Sequence, residues 1–204
     1  MIWDPNAPLD EQVLHAARTF RTQLPTCGPG RYFDHVPLHW TAEAYKCADP
    51  TSAYNALVRL SDDGKNWILL VDHNPLDNAI QVSDAAPYAA HTYLRNSHGF
   101  GIAVNAWADP NQPLQLHALD YLCGGAAAIC NKYNLQAASQ KVVYTHAECA
   151  VWDNYPDERI DLARLGPLSA GPITVSERFA TGDLIRQRVH FIKVKLDKEF
   201  EVGS

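Results

Sequence analysis

A mixed α/β domain, a central mixed β-sheet flanked by helices, is what the order of patterns along this chain predicts. Three observations carry that expectation. Residues 9–24 and 112–134 repeat apolar positions at helical spacing. Two strand-like runs, 55–60 and 67–71, flank Asp62-Asp63-Gly64-Lys65, a strong turn signal, and so read as a hairpin. Short apolar runs at 36–41, 100–106 and 142–144 have the length of buried strands.

The first helix places Leu9, Val13, Leu14, Ala17, Phe20 and Leu24 on one side. Pro8 suits its start, and Pro25 with Cys27-Gly28-Pro29-Gly30 ends it. Residues 72–98 are polar and irregular. Gly99 and Gly101 bracket the entry to the next apolar run, as where backbones approach closely. In the second helix Leu116, Leu119, Leu122, Cys123, Ala126, Ile129, Cys130 and Tyr133 form the apolar side. The last forty residues change texture. Residues 173–179 and 184–196 read as two strands around Thr181-Gly182-Asp183, the second alternating between Val189, Phe191, Lys193, Lys195 and His190, Ile192, Val194, Leu196. The expected organisation is therefore a core over residues 1–165 and a C-terminal β-hairpin extension over 166–204, packed on the same domain.

The chain has 204 residues, 47% hydrophobic and 20% charged, with a formal net charge of −6. That size supports a sizeable core. The acidic balance counts against nucleic acid or an anionic membrane as the main partner. No apolar run approaches the roughly 18 residues of a spanning helix. Met1-Ile2-Trp3-Asp4-Pro5 offers neither a basic segment nor an apolar core of a secretory signal, so synthesis in the cytoplasm is expected. Five scattered cysteines without a C-x-x-C pair read as free thiols.

Nine histidines are many for this length, and position selects among them. His39 and His146 each close a short apolar strand, so they can converge on one point above the sheet. A third ligand would complete a catalytic zinc site with a position left for water. Asp161 is the best third candidate, and Cys149 is the nearer alternative. His35 shares the face of His39 but sits too far down the strand to reach the same ion.

A series of blocks resembles the zinc-dependent N-acetylmuramoyl-L-alanine amidases, the family of the phage lysozyme-type amidases and the peptidoglycan-recognition proteins. Leu38-His39-Trp40-Thr41-Ala42 is similar to the family's first-ligand strand. Ala53-Tyr54-Asn55-Ala56-Leu57-Val58 with Asp63-Gly64 is similar to its tyrosine-bearing hairpin. Ala89-Ala90-His91, Asn96 and Phe100-Gly101-Ile102-Ala103-Val104 resemble its central histidine, asparagine and Gly-Ile strand. Tyr144-Thr145-His146-Ala147-Glu148 resembles the second-ligand segment, and Arg159-Ile160-Asp161-Leu162 the end motif with a cation two residues before the third ligand. The blocks keep the family's order over residues 34–165.

The resemblance implies zinc held by His39, His146 and Asp161. It implies hydrolysis of the amide between N-acetylmuramic acid and L-alanine in peptidoglycan. Tyr54 would orient the attacking water or donate to the oxyanion, and Arg159 would stabilise developing negative charge. His91 and Asn96 would line the substrate groove. Trp152 and Tyr155 are either core aromatics or a groove wall for sugar or peptide. Two departures stand out. One branch of the family carries a glutamate after the Gly-Ile pair, where this chain has Ala103. Glu148 is then a substitute general base, a carboxylate supporting a zinc ligand, or simply a solvated loop acid or a cap. The long gap from His146 to Asp161 keeps Asp153 and Asp157 as rival ligands. The expected setting is a phage endolysin, against a muropeptide-recycling enzyme, an exported toxin or a non-catalytic peptidoglycan-binding module. In the extension, Arg186, Arg188, Lys193 and Lys195 either belong to structural support or form a basic face for anionic wall polymer.

Overall fold

The computed structural model describes residues 3–26, 33–41, 45, 54–71, 98–106, 113–154, 161–165 and 171–201. Cys27, Cys47, His91, Asn96, Tyr155, Asp157 and Arg159 lie outside the described residues. Helix α1 (Glu11–Gln23) starts where Asp10 accepts the Gln12 amide at 2.8 Å, and it buries Val13, Leu14, Ala17 and Phe20 along one side. Strands β1 (Val36–Trp40), β2 (Ala56–Leu60), β3 (Trp67–Val71) and β4 (Ile102–Val104) follow. Then come α2 (Leu116–Lys132), β5 (Val143–Thr145), α3 (His146–Trp152) and α4 (Val175–Glu201).

The strands form one mixed sheet in the order β3-β2-β4-β1-β5. β2 and β3 pair antiparallel, the expected hairpin, while β2–β4, β4–β1 and β1–β5 are parallel. Helix α2 crosses β1 to β4, with α1 and α4 packed along its sides. Gly125 allows that approach: a methyl group there would overlap Ile102 Cδ1 and lie 2.9 Å from Leu69 Cδ1. Paired residues share a sheet face. Ile102 and its partner Leu38 therefore face α2, and the next pair, Ala103 with His39, projects from the opposite face.

The C-terminal hairpin is not there. From Val175 onward the two expected strands and the expected turn fall in the single 27-residue helix α4, with Thr181-Gly182-Asp183 well inside it. The buried set Ile185, Val189, Ile192 and Leu196 steps by four, three and four residues, a helical stripe. These side chains join the same core as α1, α2 and the sheet, so the segment is part of the fold. The basic-face alternative loses three of its four cations to carboxylate partners. Arg188 is 1% exposed, binds Asp120 at 2.9 Å and donates to the Ala7 carbonyl, clamping the N-terminal segment to α2 and α4. Arg186 is buried against Glu148, and Lys193 binds Asp197 at 2.8 Å.

Gly182 also answers to packing. The Glu148 carboxylate lies where its Cβ would be, so only glycine lets α4 pass over α3 at this point. That contact offsets the roughly 1 kcal/mol that glycine costs inside a helix. Cys123, Cys130 and Cys149 are buried, as expected of thiols in a core. Burial, the main cause, pushes the Cys130 thiol up to about 12. Among the described residues no helix is long and apolar enough to cross a membrane.

Candidate metal centre

β1 and β5 run parallel, with Val36 beside Val143, Pro37 beside Tyr144 and Leu38 beside Thr145. One more step in that register sets His146 beside His39. β5 ends there because Thr145 caps α3, so His146 occupies the first helical position instead of continuing the strand. The imidazole centroids lie 4.6 Å apart. His39 is fully buried and His146 partly so.

Asp161 is carried in by its own backbone. Its carbonyl accepts the Ala147 amide at 3.1 Å, which docks the segment onto the first turn of α3. The following residue, Leu162, is fully buried at φ +58°, a left-handed conformation that costs a non-glycine residue on the order of 1–2 kcal/mol. The turn sends Leu162 into the core and leaves Asp161 facing the histidines. Asp161 Oδ2 lies 3.0 Å from His146 Nδ1 and 3.3 Å from His39 Nδ1. Burial alone would raise the carboxyl, but hydrogen bonds from His146 and His39 outweigh it and hold it lowered, at about 2. The group is ionised at any ordinary working pH.

These three residues could hold a metal ion, their ligand atoms all lying within 4.8 Å of one another. Ligands of a tetrahedral ion bound at about 2.0–2.1 Å lie about 3.3 Å apart. The two observed separations from Asp161 already match that spacing. Of the rival ligands, Cys149 is buried and Asp153 caps the C-terminus of α3; neither belongs to the group.

The Tyr54 ring sits beside the group, its centroid 5.1 Å from that of His39. Burial first, and the Asp161 carboxylate second, push its hydroxyl well above the ordinary phenol range. It therefore keeps its proton. His35 lies outside the group, stacked on Tyr144 at 5.7 Å. Ala103 is the strand partner of His39, and it offers only a methyl group beside the site.

Glu148 points elsewhere. Two residues after His146, it is turned about 200° around the helix from it. It is fully buried and closes a capping box, its Oε2 accepting the Thr145 amide at 2.9 Å while Thr145 Oγ1 accepts the Glu148 amide at 3.2 Å. Both carboxylate oxygens also lie 2.9 Å from Arg186 Nη1. The helix-cap alternative is thus the observed one, and neither the base nor the ligand-support reading has a free oxygen to use. The signal was available as Thr-x-x-Glu at 145–148. Trp152 is 37% exposed on the outer side of α3.

No protein-family model matches the chain, and neither a curated protein nor a solved structure matches it significantly.

Proposed function

We propose that the protein is a zinc-dependent N-acetylmuramoyl-L-alanine amidase, cleaving the amide that joins the sugar strand of peptidoglycan to its stem peptide. The observation that supports this most is the convergence of His39, His146 and Asp161, with Tyr54 against them. These residues come from four separate sequence blocks that follow the amidase order. Two imidazoles, one carboxylate and one position left for water are the donor set of catalytic zinc. Bound there, zinc would supply Lewis acidity toward the scissile carbonyl and acidify the attacking water.

The chain's own residues divide the remaining work. His39 and His146 present Nδ1, and Asp161 presents an ionised Oδ2. Tyr54 holds its proton beside them and donates a hydrogen bond to the oxygen that gathers negative charge. Tyr54→Phe is therefore expected to keep the metal and to slow hydrolysis by about 10²–10³, the cost of losing one oxyanion donor. Steady-state rates with elemental analysis check this, and an unchanged rate would make Tyr54 structural.

The reading as a whole is tested on substrate. Purified zinc-loaded protein is incubated with intact sacculi and with soluble muropeptides, and both digests are analysed by mass spectrometry. Release of peptides with a free N-terminal alanine is expected. Cleavage of sacculi supports a wall-lytic enzyme, and cleavage of soluble fragments alone supports a recycling enzyme. Binding without cleavage by zinc-loaded protein would replace the amidase with a recognition module.

A further inference from the structure

Tyr54 reaches the metal centre only because the chain does not run straight into β2. Ala56 and Val58 pair with Ile102 and Val104, on the sheet face against α2. Strand alternation would put Tyr54 on that face as well. Its ring instead lies 5.1 Å from that of His39, which projects from the opposite face. The chain therefore turns between Tyr54 and Ala56, and it bends at Asn55. The amides of Asn55 and Ala56 both donate to the Gly101 carbonyl, at 2.9 and 3.1 Å. Two successive residues facing one neighbour is the pattern of a β-bulge, which re-aims side chains.

The Asn55 side chain closes the ladder at this bend. Its Oδ1 accepts the Gly101 amide at 2.8 Å, in the place a backbone carbonyl of a straight strand would take. The reverse orientation of the side-chain amide would set two donors against each other, so the bond fixes which way it points. Asn55 is fully buried, and its Nδ2 has no hydrogen-bond partner among the described residues. A buried donor without a partner is costly, so the side chain is not kept for its nitrogen. What this position uses is the oxygen. An apolar side chain would strand the Gly101 amide, and an ionised aspartate would supply the oxygen only by burying a charge.

We propose that Asn55 is a positioning residue for Tyr54, its Oδ1 bond to Gly101 holding the bend that swings the tyrosine ring over to His39. The consequence for the rate rests on the amidase reading, in which Tyr54 donates to the oxyanion. The placement of the ring does not depend on that reading.

Placement is tested first, without substrate. In protein carrying carbon-13-labelled tyrosine, Tyr54→Phe identifies the Tyr54 ring signal by deleting it. Asn55→Ala should shift that signal and open the Gly101 amide to hydrogen exchange. Asn55→Asp keeps an oxygen at the same place and should leave both close to wild type. Asn55→Ser, whose hydroxyl stops short of the amide, takes the place of the alanine variant if that one does not fold. Rates are then measured on zinc-loaded protein. Asn55→Ala should approach the loss of about 10²–10³ expected for Tyr54→Phe, mainly in kcat and with zinc content unchanged. In a Tyr54→Phe background it should cost no more than about a further twofold, since the two act as one unit. Asn55→Asp should recover most of the rate. An unmoved ring signal in the alanine or serine variant, or a rate loss that adds in full to that of Tyr54→Phe, overturns the proposal. So does an equal loss in Asn55→Asp, which would give the role to Nδ2. A shifted ring signal in a protein that leaves sacculi and muropeptides uncut keeps the placement and discards the amidase, and hydrolysis with an unmoved ring signal does the reverse.

Discussion

His146→Ala should yield a folded protein with no bound zinc and no hydrolysis. His146 sits at the first position of α3 and is only partly buried, so its loss leaves the core intact. The capping box does not need it: Thr145 and Glu148 bond to each other's backbone amides. What it does supply is one of the two imidazoles facing Asp161 Oδ2, the nearer one at 3.0 Å. Two remaining donors cannot complete a three-ligand catalytic site. Elemental analysis should fall from near-stoichiometric zinc toward none. The rate should fall by more than the roughly 10²–10³ expected for a lost hydrogen-bond donor, because every step that needs the ion fails together. The far-ultraviolet circular dichroism spectrum should stay unchanged. A His146→Ala protein that still cleaves its substrate in excess chelator would remove the metal from the mechanism.

The same residues show what was legible in the sequence. His39 and His146 could be found because each ends an apolar run, and strand ends are where a parallel sheet gathers side chains. The register of β1 with β5 then brings them level. Asp161 was legible only through its motif, since a backbone bond to Ala147 and a left-handed Leu162 place it, and neither leaves a periodic trace. Helix α1 was legible because one buried side repeats at helical spacing, α2 because its apolar stretch is too long for a strand although it is buried almost all round, and the hairpin because of its Asp62-Asp63-Gly64-Lys65 turn. Helix α4 was not. Exposed Val194 and half-buried Phe191 fill the gaps between Val189, Ile192 and Leu196, so a short window alternates as a strand would. Gly182, read as a turn, is there because a carboxylate 34 positions earlier in the chain needs the space. A contact of that kind has no local signature, and the same hidden contact made Glu148 look available for chemistry.

Arg186→Met should cost about 3–5 kcal/mol of folding stability, the scale for stripping one partner from a buried ion pair. Glu148 is fully buried and the Arg186 side chain is 5% exposed, so solvent screens neither. The guanidinium does two things at once. It lies 2.9 Å from both Glu148 oxygens, and it donates to the Val143 carbonyl at 3.1 Å. β5 is an edge strand, and its outward Val143 carbonyl and Thr145 amide are bonded by Arg186 and Glu148 in place of a sixth strand. Methionine fills similar volume but leaves that carbonyl and the carboxylate short of a partner. Urea unfolding measures the loss. The companion Glu148→Gln should be destabilised less, because an amide still accepts the Thr145 N–H, and combining it with Arg186→Met should recover much of the single-mutant cost. Zinc content and the rate per folded molecule should be unchanged in all three. If Glu148→Gln instead keeps its stability and loses its rate, Glu148 is a base after all and the edge-sealing role of Arg186 must be reassigned. If Arg186→Met unfolds at the wild-type urea midpoint, the pair contributes nothing net, and the packing of Ile185, Val189, Ile192 and Leu196 alone holds α4 in place.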